Sequence, residues 1–588
     1  MEGVAHRVCR GHDCRRLCVR HCIAAANALL RRTDSFVGRG TRTVVTYHHP
    51  GIYIQEIPGA HGIQGASTSV AVFLGITDGG PINTPTLITS WNAYTRQFGG
   101  LVWMGFNSWA VYEFFQEGGS ACYVVRLDDS KSSAATASAD TTKLAAATKG
   151  IWGASLMYYI SNGVTQRTED YTPPPQTPVF NFQVVVPAAL IDNAAKAGTD
   201  NFALQLLVNY VSQNGLAPTV LGTGATTYYE LETFTGLTNA GPDFAARINT
   251  QSMFVRVTQP GSPTTRPSNT GTPMAFTGGS SGELDFETAQ DSLKTIQGLS
   301  LLAQPETAAI TDANGKVDLT KQSTVINQGL ALCQELTNLF YVADPPFGQN
   351  VQQIVAFKLG TGQPSGQAPQ PVIDSSYGSL YYPWAWIFNP LSNSNVPIPP
   401  SGPVLGRYAY TDSAIGVWQS PAGVNDGAMR TVAALERQLT DSDQDQLNPQ
   451  GINALRNLIN YGNVIYGART VSQDTQWTYL SVRRLFIYVE QSLKNSLQWV
   501  VFESNDQTLW SAVTRDIVAF LTMLWQQGGL FGSTANEAFF VTCDASNNPP
   551  ETRMLGQLYI DIGLAPVYPA EFVVIRITQK TAGPDSGG

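Results

Sequence analysis

The sequence predicts an α+β multidomain chain: an inner α/β body, a β-rich outer insertion and a strand-like arm at each end. Three observations predict it. Helical and strand patterns alternate over residues 276–412, which argues for a partly parallel sheet. Residues 151–266 lose that alternation and become rich in Gly, Thr and Pro, as suits a surface-exposed module. Apolar, β-branched runs, Ile52–Ile57 and Phe572–Ile577, stand near the two ends.

Composition bounds the reading. A chain of 588 residues is too long for one core. Charged residues make up 13%, about half the usual ~25%. With 54 Gly and 34 Pro, this fits a turn-rich protein. It also fits a subunit covered by copies of itself, because interface cores are depleted in charge. A net charge of −9 gives no reason to expect nucleic-acid binding. No apolar run approaches the ~18–20 residues that span a bilayer, so no direct membrane insertion is expected. The basic start carries no secretory cleavage pattern, and the chain is expected to be made and kept in the cytosol at first.

Residues 1–42 hold nine Arg against Glu2, Asp13 and Asp34. Cys9, Cys14, Cys18 and Cys22 match no common zinc spacing, so we expect no metal here and read a disordered tail or sequence upstream of the true start. Cys122, Cys333 and Cys543 are expected to be reduced and buried. Residues 43–58 form an N-terminal arm, and 59–150 the first part of the body. Ser69–Gly75 reads as a buried strand, and Ser90 caps a helix from Trp91 to Phe98 that Gly99-Gly100 stops. Ala110–Gln116 is a further helix and Ala121–Leu127 a strand; residues 129–150, rich in Ala, Ser and Thr, read as a surface connection. Residues 151–275 are the β-rich outer insertion, with strands at Asn181–Val186 and Ser252–Val257.

In the α/β domain, 276–412, helices are expected at Asp285–Gln297 and Ile326–Thr337, and strands at Leu299–Ala303 and Leu339–Asp344. The C-terminal inner domain covers 413–570. There Val482, Leu485, Phe486, Val489, Leu493 and Leu497 share one helix face, and Ile487 and Tyr488 make a second, partly apolar side. Asp506 caps the next helix, whose stripe runs through Leu509, Val513, Ile517, Phe520, Leu521 and Leu524. Residues 571–588 form a C-terminal strand arm and tail. Its run is apolar without alternation and needs cover on both faces.

Chemical motifs are few. Gly278-Gly279-Ser280-Ser281-Gly282 fits G-x-S-x-G, but every histidine (6, 12, 21, 48, 49, 61) precedes it, so Ser280 has no downstream base. A turn before a helix is the better reading. Asp441–Asp445 lacks the Gly and Glu of an EF-hand loop and reads as a solvated loop or a helix start. Tyr377–Trp386 could form a carbohydrate platform; core or interface packing is preferred. No cofactor and no catalytic residue is expected, and the chain is read as no enzyme.

Several stretches together resemble one family. Pro50-Gly51-Ile52-Tyr53-Ile54-Gln55-Glu56 resembles an N-terminal P-G-V-Y-x-x-E arm. Tyr381-Tyr382-Pro383-Trp384, Val464-Ile465-Tyr466-Gly467-Ala468-Arg469-Thr470, Gln498–Glu503 and Pro569-Ala570-Glu571-Phe572 continue the likeness. On these residues the chain resembles the contractile tail sheath proteins of bacteriophages and phage-tail-like injection particles. The resemblance is dense over 43–127 and 376–579 and weak over 150–265.

It implies a structural subunit that stacks as hexameric rings around an inner tube protein, with baseplate and terminal cap proteins at the ends. It also implies exchanged N- and C-terminal strands between copies, and a sleeve that contracts to drive the tube through a target envelope. Ile52, Tyr53, Ile54 and Ile57, with Phe572, Val573, Val574, Ile575 and Ile577, are the expected strand-exchange residues, added to a neighbour's sheet. Arg483, Arg484, Glu490 and Lys494 are expected to face neighbouring subunits or the tube, against the plain reading of solvated helix charge. The alternatives are a non-contractile β-rich capsid or surface-layer protein and, with little support, a serine hydrolase.

Overall fold

A computed structural model describes residues 62–163, 179–238, 243–261, 265–361 and 369–576. All of them fall within the compact unit Ala60–Gly588; the other unit, Met1–Gly59, lies outside the described residues. The basic tail, its cysteines, all six histidines, Ile52, Tyr53, Ile54, Ile57 and Ile577 therefore lie outside the description.

Helices and sheets are mixed throughout. The chain enters on β1 (Ala71–Gly75) and β2 (Thr86–Ile88), then α1 (Trp91–Phe98), α2 (Phe106–Gln116) and β3 (Cys122–Arg126). Ser90 caps α1 by accepting from the Ala93 N–H, as its position predicted. A hairpin follows, β4 (Ser133–Ala139) and β5 (Thr142–Ala146). This corrects the surface connection read at 129–150. Ala135, Leu144 and Ala146 are buried, and small Ala side chains carry too little hydrophobic contrast to mark a strand.

The insertion contains β6 (Met157–Asn162), β7 (Phe180–Pro187), α3 (Ala188–Ala197), α4 (Phe202–Gln213), β8 (Pro218–Val220), β9 (Thr227–Leu237), α5 (Asp243–Gln251) and β10 (Val255–Gln259). Short strands β11 (Met274–Ala275) and β12 (Thr277–Ser280) close it. Two sheets result, ordered β11-β6-β7-β9-β8 and β10-β5-β4-β12, so the 133–146 hairpin pairs with strands more than a hundred residues away. Three helices in a region read as β-rich are a second correction. Phe202, Leu206, Leu207, Tyr210 and Val211 bury one face of α4.

The body continues with α6 (Phe286–Asp291), β13 (Leu301–Ala303), α7 (Leu319–Leu336), β14 (Phe340–Ala343), α8 (Val351–Leu359), β15 (Gly378–Tyr382), β16 (Ala385–Asn389), β17 (Ser394–Ile398), α9 (Ser401–Ala414), β18 (Val432–Leu435), α10 (Asp441–Leu447), β19 (Ile452–Leu458) and β20 (Gly462–Ile465). The central sheet has eight strands in the order β2-β3-β1-β13-β14-β15-β19-β20. Its six inner strands are parallel, and β2 and β20 close it antiparallel at the edges. Strands buried on both faces must be apolar on both. Phe73, Val124, Leu301, Val342 and Tyr381 point into one core with α2 and α9. Their chain neighbours Leu74, Val125, Leu302, Tyr341 and Tyr382 point into another with α7 and α8.

Helices α2 and α9 cross at backbone contact. A Cβ on Gly402 would lie 2.5 Å from the Ala110 Cα, and one on Gly406 2.6 Å from the Glu117 Cβ. The aromatic run 377–386 is core: Tyr381, Tyr382, Trp384 and Trp386 are all buried.

The last unit holds α11 (Leu480–Ser496), α12 (Gln507–Gln526) and the two-stranded sheet β21 (Phe539–Thr542) with β22 (Asp561–Leu564). Asp506 caps α12 through the Thr508 and Leu509 N–H groups. The predicted α12 stripe, with Leu485 and Val489 of α11, forms a third core. Ile487, on the second side of α11, packs into the body core instead, so this helix joins the two. Among the described residues no helix is long and apolar enough to cross a membrane.

Candidate assembly surface

The C-terminal tail leaves β22 at Leu564. The Phe531 N–H donates to the Ala565 carbonyl at 2.8 Å, and Leu530 bridges to Pro566. Beyond this point, among the described residues, no backbone hydrogen bond ties 567–576 to the rest of the chain; the Glu571 N–H reaches only the Pro569 carbonyl at 3.1 Å. Side chains hold the tail, and the Tyr568 ring meets the Tyr479 ring edge-on with centroids 6.1 Å apart. The Glu571 carboxylate accepts from Arg469 Nε at 2.9 Å, Arg469 Nη2 at 2.6 Å, Asn448 Nδ2 at 2.7 Å and the Tyr479 hydroxyl at 3.0 Å. Burial raises the Glu571 carboxyl, but the bonds from Arg469, Asn448 and Tyr479 outweigh it and hold it below the usual value.

Immediately after this clasp, Phe572, Val573, Val574 and Ile575 are 73–78% exposed. Among the described residues, Phe572–Ile575 therefore have no ladder and no cover.

The root of the other arm lies along α11. The Gln64 and Ala66 N–H groups donate to Ser496 Oγ at 3.1 Å and Ser492 Oγ at 2.9 Å. Gly65 passes Tyr488 so closely that a Cβ would fall 2.3 Å from its hydroxyl oxygen. The Thr68 carbonyl accepts from Arg484 Nη2 at 3.1 Å.

The four charges singled out on α11 divide. Arg484 is buried in a fork with Asp412, Nη1 to Oδ1 at 3.0 Å and Nη2 to Oδ2 at 2.5 Å, with its guanidinium 4.8 Å from the Tyr408 ring. Arg483 is buried too: its guanidinium stands 4.0 Å over the Tyr377 ring and 4.6 Å over the Trp477 ring, and donates to the Tyr377 hydroxyl. Both turn into the subunit, where their partners lie 72 and 106 residues away in the chain. Glu490, 3.8 Å from Arg483, and Lys494 reach the surface. Burial raises the Glu490 carboxyl despite Arg483.

The sequence reading missed a set of exposed apolar side chains on this unit: Phe502, Phe531, Phe540, Met554 and Leu555. Phe502 is fully exposed in a left-handed conformation, φ 70°, at a turn. The signal was local, in the apolar pairs Val501-Phe502 and Met554-Leu555 next to polar turn residues.

Elsewhere the motifs resolve structurally. Ser280 is an exposed edge-strand residue whose Oγ lies 2.8 Å from Ser133 Oγ. Asp441–Asp445 opens α10, where Thr440 and Asp443 form a capping box. Cys122, Cys333 and Cys543 are free and buried. Among the described residues no three His, Cys, Asp or Glu side chains group as metal ligands.

Comparison with known proteins follows this geometry. Residues 472–580 match the family described as phage tail sheath C-terminal domain. The tail sheath protein of Vibrio phage KVP40 is 28% identical over 244 residues, 40% of this chain and 35% of that protein. The tail sheath protein of Enterobacteria phage T4 is 23% identical over 36% of this chain and 32% of its own length. A putative prophage major tail sheath protein of Pseudomonas aeruginosa is 24% identical over 33% and 49%. These matches span a third to a half of the curated relatives. Two solved structures share the fold across 91% of this chain. The PVC sheath complex of an extracellular contractile injection system, in its contracted state, has a TM-score of 0.51 at 20% identity and is 99% covered. The helical sheath of the anti-feeding prophage, also contracted, has a TM-score of 0.50 at 22% identity and is fully covered. At these identities the likeness is one of fold.

Proposed function

From the premise that this chain belongs with the contractile tail sheath proteins, we propose that it is the structural subunit of a contractile sleeve. Copies stack as hexameric rings around an inner tube protein, between baseplate and cap proteins, and contraction drives the tube through a target envelope. Segments 43–58 and 571–588 are the exchanged arms, 151–275 faces outward and 413–570 inward. The particle assembles in the bacterial cytoplasm as a phage tail or a related injection device.

One observation carries this reading: a run of four large apolar side chains, Phe572–Ile575, left uncovered beside an anchored residue. Covering each is worth roughly 1.5–3 kcal/mol. Ordering the backbone costs about 1–2 kcal/mol per residue. A donated strand adds ladder bonds of about 1 kcal/mol each. The balance is a few kcal/mol per arm in favour of pairing with a neighbour's sheet. Low overall charge and the exposed Phe531, Phe540 and Met554 support extensive contact with other chains.

The test is electron microscopy of the purified full chain beside a variant lacking 572–588. Striated tubes of two lengths and widths from the full chain, and soluble monomers from the truncated one, are expected. Shells, flat lattices or tubes of a single fixed length would overturn contraction; normal tubes from the truncated chain would overturn strand donation.

A further inference from the structure

We propose that Glu571 is the mechanical anchor of the donated C-terminal strand, passing its pull to the central parallel sheet through Arg469. The proposal rests on the tail being donated. The tail starts from the two-stranded sheet of the last unit, yet the Glu571 clasp, like the nearby contact of the Tyr568 ring with Tyr479, is to groups outside that sheet. Asn448 follows α10, Arg469 follows β20, and Tyr479 precedes α11.

Arg469 is itself fastened. Its N–H donates to Asn453 Oδ1 at 2.7 Å, and its carbonyl accepts from Asn453 Nδ2 at 2.8 Å. Asn453 is fully buried in β19, and its amide also reaches the Leu380 carbonyl of β15 at 3.3 Å. The Arg469 Nη1 holds the Asn448 carbonyl at 3.1 Å, closing a ring of contacts around the carboxylate. A force on Phe572 thus meets Glu571, which shares it between the backbone leading back to β22 and, through Arg469 and Asn453, two strands of the central sheet.

An ordinary surface ion pair contributes little because it is solvated and mobile. This one is two-pronged, both side chains are less than a fifth exposed, and two neutral donors share the carboxylate. An unbroken run of exposed residues, 572–576, begins immediately after the clasp.

The experiment compares the wild-type chain, Glu571→Ala, the exchange Glu571→Arg with Arg469→Glu, and the chain lacking 572–588. Light scattering gives the lowest concentration at which tubes form; thermal melting of the unassembled subunit reports its fold. Glu571→Ala is expected to raise the assembly threshold about tenfold, equivalent to ~1.4 kcal/mol, with an unchanged melting curve. The charge exchange is expected to recover most of the loss. If the truncated chain assembles normally, donation itself fails. If truncation blocks assembly while Glu571→Ala assembles at the wild-type threshold, the anchor alone is refuted. A melting loss in Glu571→Ala that matches the assembly loss, or no recovery on charge exchange, also refutes it.

Discussion

Removing the Asp412 carboxylate should be among the most damaging single changes in the C-terminal half. Asp412→Ala leaves the Arg484 guanidinium buried with, among the described residues, the Thr68 carbonyl and the Tyr408 ring as partners. Both side chains of the pair are 2–3% exposed, so water cannot replace the lost oxygens. Breaking a buried pair from one side costs about 3–5 kcal/mol. The retained Thr68 bond points to the lower end, ~3 kcal/mol. Arg484→Met removes the cation instead and leaves a carboxyl whose burial already raises its pKa. The double variant Arg484→Met with Asp412→Leu leaves no orphaned charge there and should recover at least ~2 kcal/mol relative to the sum of the singles. Guanidinium unfolding of the unassembled chain, followed by tryptophan fluorescence, measures all four states. Single-variant losses under ~0.5 kcal/mol, the range of an exposed pair, would refute burial of Arg484 and return it to an intersubunit role.

Two further outcomes follow from the core. Thr431 Oγ1 contacts Glu113 and, at 2.7 Å, Glu117, yet has one hydrogen, so one carboxyl must donate in turn. Burial first, then the neighbouring Glu117, pushes Glu113 up to about 7 against the bond from Thr431, from an ordinary 4.5. A raised carboxyl binds its proton more tightly when folded, so its stabilisation is complete below about pH 4.5 and is lost as pH rises towards 7. Glu113→Gln should therefore reduce the decline of melting temperature between pH 5 and 8; parallel profiles would contradict the assignment. Trp384 packs within 5.0–6.1 Å of the rings of Phe106, Phe202 and Phe347, and its indole donates to the Pro345 carbonyl. Trp384→Ala should cost about 3–5 kcal/mol and speed proteolysis within the insertion, because Phe202 loses its seat; unchanged cleavage would refute that coupling.

What was legible in the sequence was local. Ser90 and Asp506 could be placed as caps because a cap and its N–H groups lie within three residues of each other. The inner strands were visible as short runs apolar on both faces, which only a doubly covered sheet requires. The hairpin 133–146 was not, since alanine barely distinguishes face from edge. Arg484 looked like surface charge because Asp412, the group that justifies its burial, lies on α9. Glu571 belonged to a recognisable Pro-Ala-Glu-Phe stretch, but its role needs Arg469, 102 residues upstream. Each miss is a contact that only the tertiary fold brings together.

The crossing of α2 and α9 bears on how such a subunit can work. Where Gly402 and Gly406 let two helices touch at the backbone, no layer of side chains remains to slip or repack. Interiors packed this closely resist shear, and sliding one helix along the other would force backbone into backbone. On the proposed contractile role, this helix pair would act as part of a lever and not of a spring. If the chain contracts as proposed, a displacement imposed at one side of this pair would reach the other without being stored between, and the travel would fall to the chain on either side of it.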